Sequence, residues 1–323
     1  MPIKRKTVIK IIIGIAAFIL IKNFLYYTEV GYSYPIWSKD GKRIYYIKNI
    51  DYYRFAQGGF FFEYRIYKTK SYVMSMKPNC SGKRIIVKFS RQNLPRTSIH
   101  NLAILPNNKE LTFCVWAPGV KYIGPTNENG LYRINTNGTN LIKLMSFGDI
   151  TQAPKLFVSP DGTKIAYTKE RYGDGFKNRD IIGSVFSSWL MDSDGRNNHM
   201  ICGEESEVKG WTTNGYLIIS AYADLEGNAK LEYDNKANHI VYPNDVTYRT
   251  LIYDPATKKF AKNILDYFSS KRTQEEIKNL GFIKYNDSIS PDGKKKIFWK
   301  GENLGVMDID GKNKKILLKG KTH

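Results

Sequence analysis

The sequence predicts an all-β fold: a β-propeller of five or six four-stranded blades, preceded by one N-terminal transmembrane helix. Three observations predict it. A short Asp-Gly-centred stretch recurs, as "PIWSKDGKRIYYIK" at 35–48, "FVSPDGTKIAYTKE" at 157–170 and "SISPDGKKKIFWKG" at 288–301. A second, different turn-centred unit follows each copy at a distance. The first thirty residues open basic and then run apolar.

The N-terminal element comes first in the chain. In "MPIKRKTVIKIIIGIAAFILIKNFLYY", Lys4, Arg5 and Lys6 precede a charge-free core of eleven residues, Ile11 to Ile21. That length fits a signal-peptide h-region. Lys10 and Lys22 flank the core and can snorkel to the interface, so Thr7 to Tyr27 would span roughly 30 Å as a helix, about one hydrocarbon core. Tyr26 and Tyr27 fall where an interfacial aromatic belt belongs. A cut near Ala16 and Ala17 would halve the apolar run, so an uncleaved signal anchor is preferred to a cleaved peptide. A buried helix of a soluble protein is the remaining reading. Four basic residues before the core and one after it leave the N-terminus cytoplasmic. The expected organisation is a basic tip and anchor over 1–29 and a repeat domain over 30–323. The expected localisation is a single-pass membrane protein with that domain in the periplasm or at the cell surface.

The repeat is explained by turn chemistry. In "SPDGTKIAY", Asp161-Gly162 sits between two apolar runs of strand composition. Pro160 presets φ for the entry of a tight turn and Gly162 accepts the left-handed conformation that closes it. Eroded copies stand at 102–116 and 208–220, which places the first-unit turns near Gly41, Asn108, Gly162, Gly215 and Gly293. The second unit is an apolar strand, a polar Asn/Asp turn and a strand that starts basic. Its copies are 72–88, 131–145, 189–202, 251–264 and 304–319. Five units of each kind alternate, and a four-strand module repeated about every fifty residues or more reads as a propeller or similar closed array. One module cannot cover its own faces, so neighbours must stack. Residues 28–34 could supply a strand that closes the ring, and 222–246 could hold a degenerate hairpin or a sixth blade. Gly162 and Gly293 are expected to need φ > 0, whereas Gly130 is expected in a longer connection and to tolerate replacement better.

"SPDGTKIAY" and "SPDGKKKIFW", paired with "MDSDGRN" and "MDIDGKN", resemble the PD40 (WD40-like) repeats of TolB-type β-propellers. The resemblance covers residues 30–319 and implies the fold rather than a function, since related propellers are scaffolds, peptidases and lyases. The chain departs from TolB in lacking its mixed N-terminal domain, so a TolB-like place in envelope translocation is not expected. Neither is the hydrolase domain of the peptidase propellers.

Connections at 49–60, 117–128 and 169–186 read as long loops, and "FSSKRTQEEIKNLGF" at 268–282 as a short helix with a Thr273/Glu276 capping box. The density of rings over 45–72 makes Tyr52, Tyr53, Arg54 and Phe55 the candidate ligand-binding residues, a stacking platform for a sugar or an exposed base. The remaining rings there read as strand side chains packed between blades. The paired carboxylates Asp192/Asp194 and Asp308/Asp310 resemble the opening of a calcium loop, but Gly203 and Lys319 stand where its bidentate Glu belongs. Plain turns are the preferred reading and no metal is expected. His100, His199, His239 and His323 are scattered. Catalytic signatures are absent: no GxSxG, no P-loop, no GxGxxG. Cys80, Cys114 and Cys202 form no CxxC pair, and Cys114 reads as a small apolar strand residue.

The formal charge is +20, and still 45 − 30 = +15 beyond residue 22. Such a surface favours anionic partners. These readings together describe a membrane-anchored, extracytoplasmic propeller without a cofactor. It would bind a protein or an anionic envelope polymer, with nucleic acid not expected as a partner. The alternative is a propeller enzyme of polysaccharide-lyase type with an axial site of His and carboxylates.

Overall fold

Each Ser-x-Asp-Gly copy folds into the same small hydrogen-bonded knot. In the computed structural model, the hydroxyls of Ser38, Ser159 and Ser290 each donate to the Asp two residues on, at 2.6 Å. Those carboxylates also accept from the amides of Lys42, Thr163 and Lys294 at 3.0–3.1 Å. The amides of Arg43, Lys164 and Lys295 donate back to the serines at 2.8–2.9 Å. Gly41, Gly162 and Gly293 complete the turns at φ of +68°, +75° and +69°, a region that costs a side chain strain. Asn108 and Gly215 occupy the same place in the eroded copies, also at positive φ. The second unit closes differently. Asn79, Asn137, Asp194, Asp254 and Asp310 each accept from the amide two residues on, at 2.9–3.1 Å, the Asx-turn that these side chains favour.

The structure describes residues 26–322 apart from 59–60, 91–96, 117–127, 148–152, 173–183, 204, 224–231, 235–238, 242–246, 261–274, 276–278, 280–281, 284–288 and 301. The turns link antiparallel strands into five four-stranded units, each made of one copy of either repeat. The first is β1 (Tyr26–Trp37), β2 (Ile44–Gly58), β3 (Phe61–Met76) and β4 (Arg84–Ser90). The second is β5 (Ser98–Ile104), β6 (Glu110–Trp116), β7 (Gly130–Asn135) and β8 (Ile142–Ser146), and the third β9 (Lys155–Val158), β10 (Lys164–Tyr172), β11 (Ser184–Asp192) and β12 (His199–Cys202). The fourth runs through β13 (Ser206–Thr212) and β14 (Leu217–Ala223). After the hairpin β15 (Glu232–Asp234) and β16 (His239–Val241), it continues with β17 (Thr247–Asp254) and β18 (Lys259–Phe260). β19 (Phe282–Ile283) adds to the free edge of β13. In the fifth, a bridge from Ile289 to Lys296 precedes β20 (Lys295–Lys300), β21 (Asn303–Asp308) and β22 (Lys315–Leu318).

The sheets stack as blades because each buries apolar residues only against its neighbours. One buried cluster joins Ile36, Ile47 and Val73 of the first sheet to Ile104, Phe113 and Ile134 of the second. Another joins Cys114 and Leu131 to Val158, Ile165 and Met191 of the third. A third joins Ala166 and Leu190 to Trp211, Leu217 and Leu251 of the fourth. The fourth cluster joins Trp37, Ile44 and Tyr46 of the first sheet to Ile297, Leu304 and Val306 of the fifth. Removing such a side chain from water stabilises by about 1.5–3 kcal/mol, and no sheet makes these contacts alone. The last described strand returns to the first sheet: β23 (Lys321–Thr322) pairs with Val30 and Glu29 of β1. The 28–34 stretch is therefore part of the first strand, and its open edge receives β23.

Several expectations change. The 49–60 stretch is no loop: β2 and β3 stay in register from Ile44↔Met76 to Gly58↔Phe61, forming one long hairpin. The 222–246 stretch holds the hairpin β15–β16 and no further blade among the described residues. Gly130 lies in no connection but opens β7, where an added Cβ would collide with the carbonyl oxygen of Met145 on β8. The 117–128 and 169–186 connections and the 268–282 helix fall largely outside the described residues. Among the described residues no helix is long and apolar enough to cross a membrane, and the apolar run before residue 26 lies outside them. Tyr26 and Tyr27, the last two residues of the expected span, are strand.

Candidate functional site: an aromatic ribbon and a basic turn face

The antiparallel meander sorts the connections onto two faces. The first-unit and second-unit turns of a blade fall on one face, and the β2–β3 type hairpins and inter-blade connections on the other. Contacts between blades put the turn sets of the first, second, third and fifth on one shared face. Lys39 N donates to Asn108 Oδ1 at 2.9 Å, Gly162 packs on Pro106 and Gly41 faces Pro291. Arg84 donates to Thr136 O, and Arg133 to Ser193 O, at 3.0 and 3.3 Å.

Lysines crown the turn face. Lys42, Lys83, Lys109, Lys258, Lys294 and Lys312 are all exposed. Their acidic neighbours are occupied: Asp40, Asp161, Asp292 and Asp310 hold their own turns. The ion pairs Lys42–Asp40 and Lys312–Asp310, at 4.0 and 3.4 Å, are solvated and hold their partners only weakly. A cleft of about 470 Å³ opens between the third and fourth blades, lined by Pro160, Lys164, Trp211, Asn214 and Pro255. The carboxylates considered for a cation are committed to turns and cations. Asp192 accepts from Lys164 Nζ and Asn197 Nδ2, both at 2.6 Å, and these bonds hold its carboxyl below the usual range. Asp194 pairs with Arg196 at 2.5 Å. Asp308 accepts from Asn313 at 2.5 Å, and Asp310 from the Lys312 amide. Among the described residues no three His, Cys, Asp or Glu side chains gather as a metal site.

The inner strands β1, β5, β9 and β13 carry little ionisable chemistry. His100 of β5 shares a hydrogen with Ser98 Oγ at 2.6 Å and meets Trp116 and Tyr34 edge-on. Burial pushes its pKa down to about 4, so it is neutral. Glu207 on β13 accepts from Lys155 at 2.8 Å and Lys209 at 2.6 Å. Burial pushes its carboxyl up, but the two lysines outweigh that and hold it low. Each of the two groups is held by partners of its own, His100 by Ser98 and Glu207 by the two lysines.

The predicted platform is partly assembled, on a strand ribbon rather than a loop. β1, β2 and β3 have 12, 15 and 16 residues, against 4–9 in the third blade. Tyr53 stacks on Tyr27 at 4.2 Å, and Phe55 meets Tyr64, itself edge-on to Tyr27 at 4.9 Å. Tyr52 and Arg54 instead gather around Tyr67, at 6.4 and 6.0 Å, with Lys70 over the Tyr52 ring at 5.0 Å. Tyr53 donates to Glu29 Oε2 at 2.9 Å. Burial and that carboxylate push its pKa up, so it remains a donor. Tyr64 and Tyr67 of "FFFEYRIY" lie on this ribbon and not between blades. Sequence reasoning missed Tyr26, Tyr27, Tyr64 and Tyr67 as partners, because strand pairing and not chain proximity brings them to Tyr52–Phe55.

No protein-family profile matches the chain, and no curated protein sequence matches it. Solved structures similar to it include an oligogalacturonate lyase in complex with manganese, at 14% identity and TM-score 0.43, covering 87% of this chain and 65% of that one. A second is the oligogalacturonate lyase of Vibrio parahaemolyticus, at 12% identity and TM-score 0.43, covering 83% and 62%. A third is a TolB-type protein of Agrobacterium tumefaciens, at 12% identity and TM-score 0.37, covering 91% and 88%. This chain thus spans less than two thirds of the length of either lyase.

Proposed function

We propose that this chain is a membrane-anchored, extracytoplasmic β-propeller of the PD40-repeat kind that acts as a binding module. Its ligand is an anionic component of the cell envelope, either an acidic polymer or the acidic surface of a protein. The observation that carries this reading is the turn face, where lysines of the first, second, fourth and fifth sheets stand exposed on a chain of net charge +20. Fixed positive charge on a rigid surface raises the local concentration of anions and steers their approach. The apolar run from Thr7 onward, with basic residues ahead of it, supports the anchor and the outward orientation of the disk.

Two measurements test the two halves. Full-length protein in membranes should resist carbonate extraction, and its release would contradict the anchor. In mild detergent it should bind an acidic glycan such as polygalacturonate, or poly-glutamate, with an affinity that falls steeply with salt. Charge reversal at Lys42, Lys294 and Lys312 together should abolish that binding. Binding unchanged by the triple reversal would exclude the turn face.

A further inference from the structure

The first blade is built differently from the others, and the difference points away from the disk. At Asn49 and Ser71 the hairpin still belongs to it, since Ser71 Oγ accepts from Ile99 N of the second blade at 3.2 Å. Beyond that level β2 continues for nine more residues, Ile50 to Gly58, roughly 30 Å of ribbon at the usual strand rise. Its cross-strand chemistry changes along the way. Near the disk the pairs are polar, Asn49 with Ser71 and Asp51 with Thr69. Farther out, rings and cations replace them.

β1 pairs with the hairpin out to Tyr26, the first described residue, which lies opposite Arg54. The chain therefore enters the domain from the far end of the ribbon, directly out of the apolar N-terminal run. Past Tyr26, β2 goes on to Gly58 opposite Phe61, about 13 Å farther. The outer ribbon thus lies level with Tyr26, and its hairpin overshoots that level.

The exposed chemistry there suits an interface. Tyr26 and Tyr64 are 48% and 38% exposed, with Arg54 and Arg65 exposed beside them. Residues 52–68 carry Arg54, Arg65 and Lys68 against a single acid, Glu63. Amphipathic rings with basic groups beside them are the side chains that settle at a lipid headgroup layer, and basic residues gain further on an anionic leaflet.

We infer that the outer part of this ribbon rests in the headgroup region of an anionic bilayer, as a second membrane contact beside the N-terminal anchor. The inference rests on the anchor reading above. The ribbon holds the disk off the bilayer with its turn face outward, which leaves the lysine crown open to its ligand.

The test uses full-length protein in phosphatidylglycerol/phosphatidylcholine vesicles. All five native tryptophans, at 37, 116, 189, 211 and 299, lie outside the ribbon's outer part and set the background. Phe62→Trp should add blue-shifted emission that lipids brominated high in the acyl chain quench at least twofold. Lys312→Trp on the turn face should add emission they leave unchanged. Tyr64→Trp serves as a second reporter if Phe62→Trp does not fold. Protein that sediments with the vesicles while neither ribbon reporter is quenched beyond the Lys312→Trp control overturns the ribbon contact alone. The ribbon would then stand free for another partner. Protein that stays in the supernatant overturns the anchor and the contact together.

Discussion

Three glycines separate backbone strain from lack of room, and replacing each with alanine measures the two effects. Gly293 sits at φ +69° with nothing within 4 Å of an added Cβ. Gly293→Ala should therefore cost only the left-handed strain, about 1–2 kcal/mol. Gly162 has the same kind of φ, +75°, but its Cβ would stand 2.7 Å from Cδ and 3.2 Å from Cγ of Pro106 in the next blade. A proline ring cannot swing aside, so overpacking adds about 1–3 kcal/mol, and Gly162→Ala should total about 2–5 kcal/mol. Gly130 has ordinary φ, yet its Cβ would run into the backbone carbonyl of Met145 on the paired strand. Gly130→Ala should push β7 and β8 apart at a cost of about 3 kcal/mol. In a domain of this size each kcal/mol lowers Tm by about 2–4 °C. Thermal denaturation followed by circular dichroism should rank Gly293→Ala mildest, with Gly162→Ala and Gly130→Ala clearly below it. A shift for Gly162→Ala equal to that for Gly293→Ala would refute the inter-blade contact at Pro106. A neutral Gly130→Ala would refute the close approach of β8.

Two further outcomes concern titration and turns. His100 has its pKa lowered from 6.5 to about 4 by burial, so the unfolded chain takes up its proton first as pH falls. Its contribution is complete above pH 6.5 and lost through the window from 6.5 to 4, about 3 kcal/mol in all. Urea unfolding of His100→Gln should lose that share of the pH dependence, and an unchanged pH slope would show that His100 is not buried. Asp161 is partly buried, which pushes its carboxyl up, but hydrogen bonds from Ser159 and Thr163 outweigh this and hold it low. Its contribution is present above the ordinary carboxylate pKa and lost as pH falls through the lowered one. Asp161→Ala should destabilise by about 1 kcal/mol at pH 7, the exposed setting limiting the effect, and a neutral result would leave the repeat's Asp without a folding role.

The repeat was legible because its chemistry is local. Ser-x-Asp-Gly satisfies itself within six residues, so the turns at Gly41, Gly162 and Gly293 and the eroded ones at Asn108 and Gly215 fall where the pattern places them. The strands between them follow from simple apolar runs. The first blade was harder to read. Over 49–58 rings and charges occupy both faces of the ribbon, so the alternation that marks a half-buried strand is missing. The pairing of β2 with β3 is what makes it a strand. Gly130 was misplaced for a similar reason: its constraint comes from Met145, fifteen residues away and on another strand. The candidate platform was half legible. Tyr53 and Phe55 share one cluster with Tyr27 and Tyr64, while Tyr52 and Arg54 belong to another around Tyr67. The two sets are the two faces of β2, because Tyr53 and Phe55 alternate with Tyr52 and Arg54 along the strand, and a loop reading of 49–60 hides that alternation.

The central structural claim is that the ring of sheets closes between the fifth and the first, with residues 321–322 paired to the edge of the first strand. Glu29 pairs with Thr322 there. The most direct measurement is oxidation of the full-length Glu29→Cys/Thr322→Cys variant, followed by peptide mass spectrometry. The ring predicts a disulfide within one molecule joining the peptides that contain positions 29 and 322, formed in native protein and lost in urea. Native, monomeric protein whose two cysteines remain unlinked under oxidation would contradict the closure.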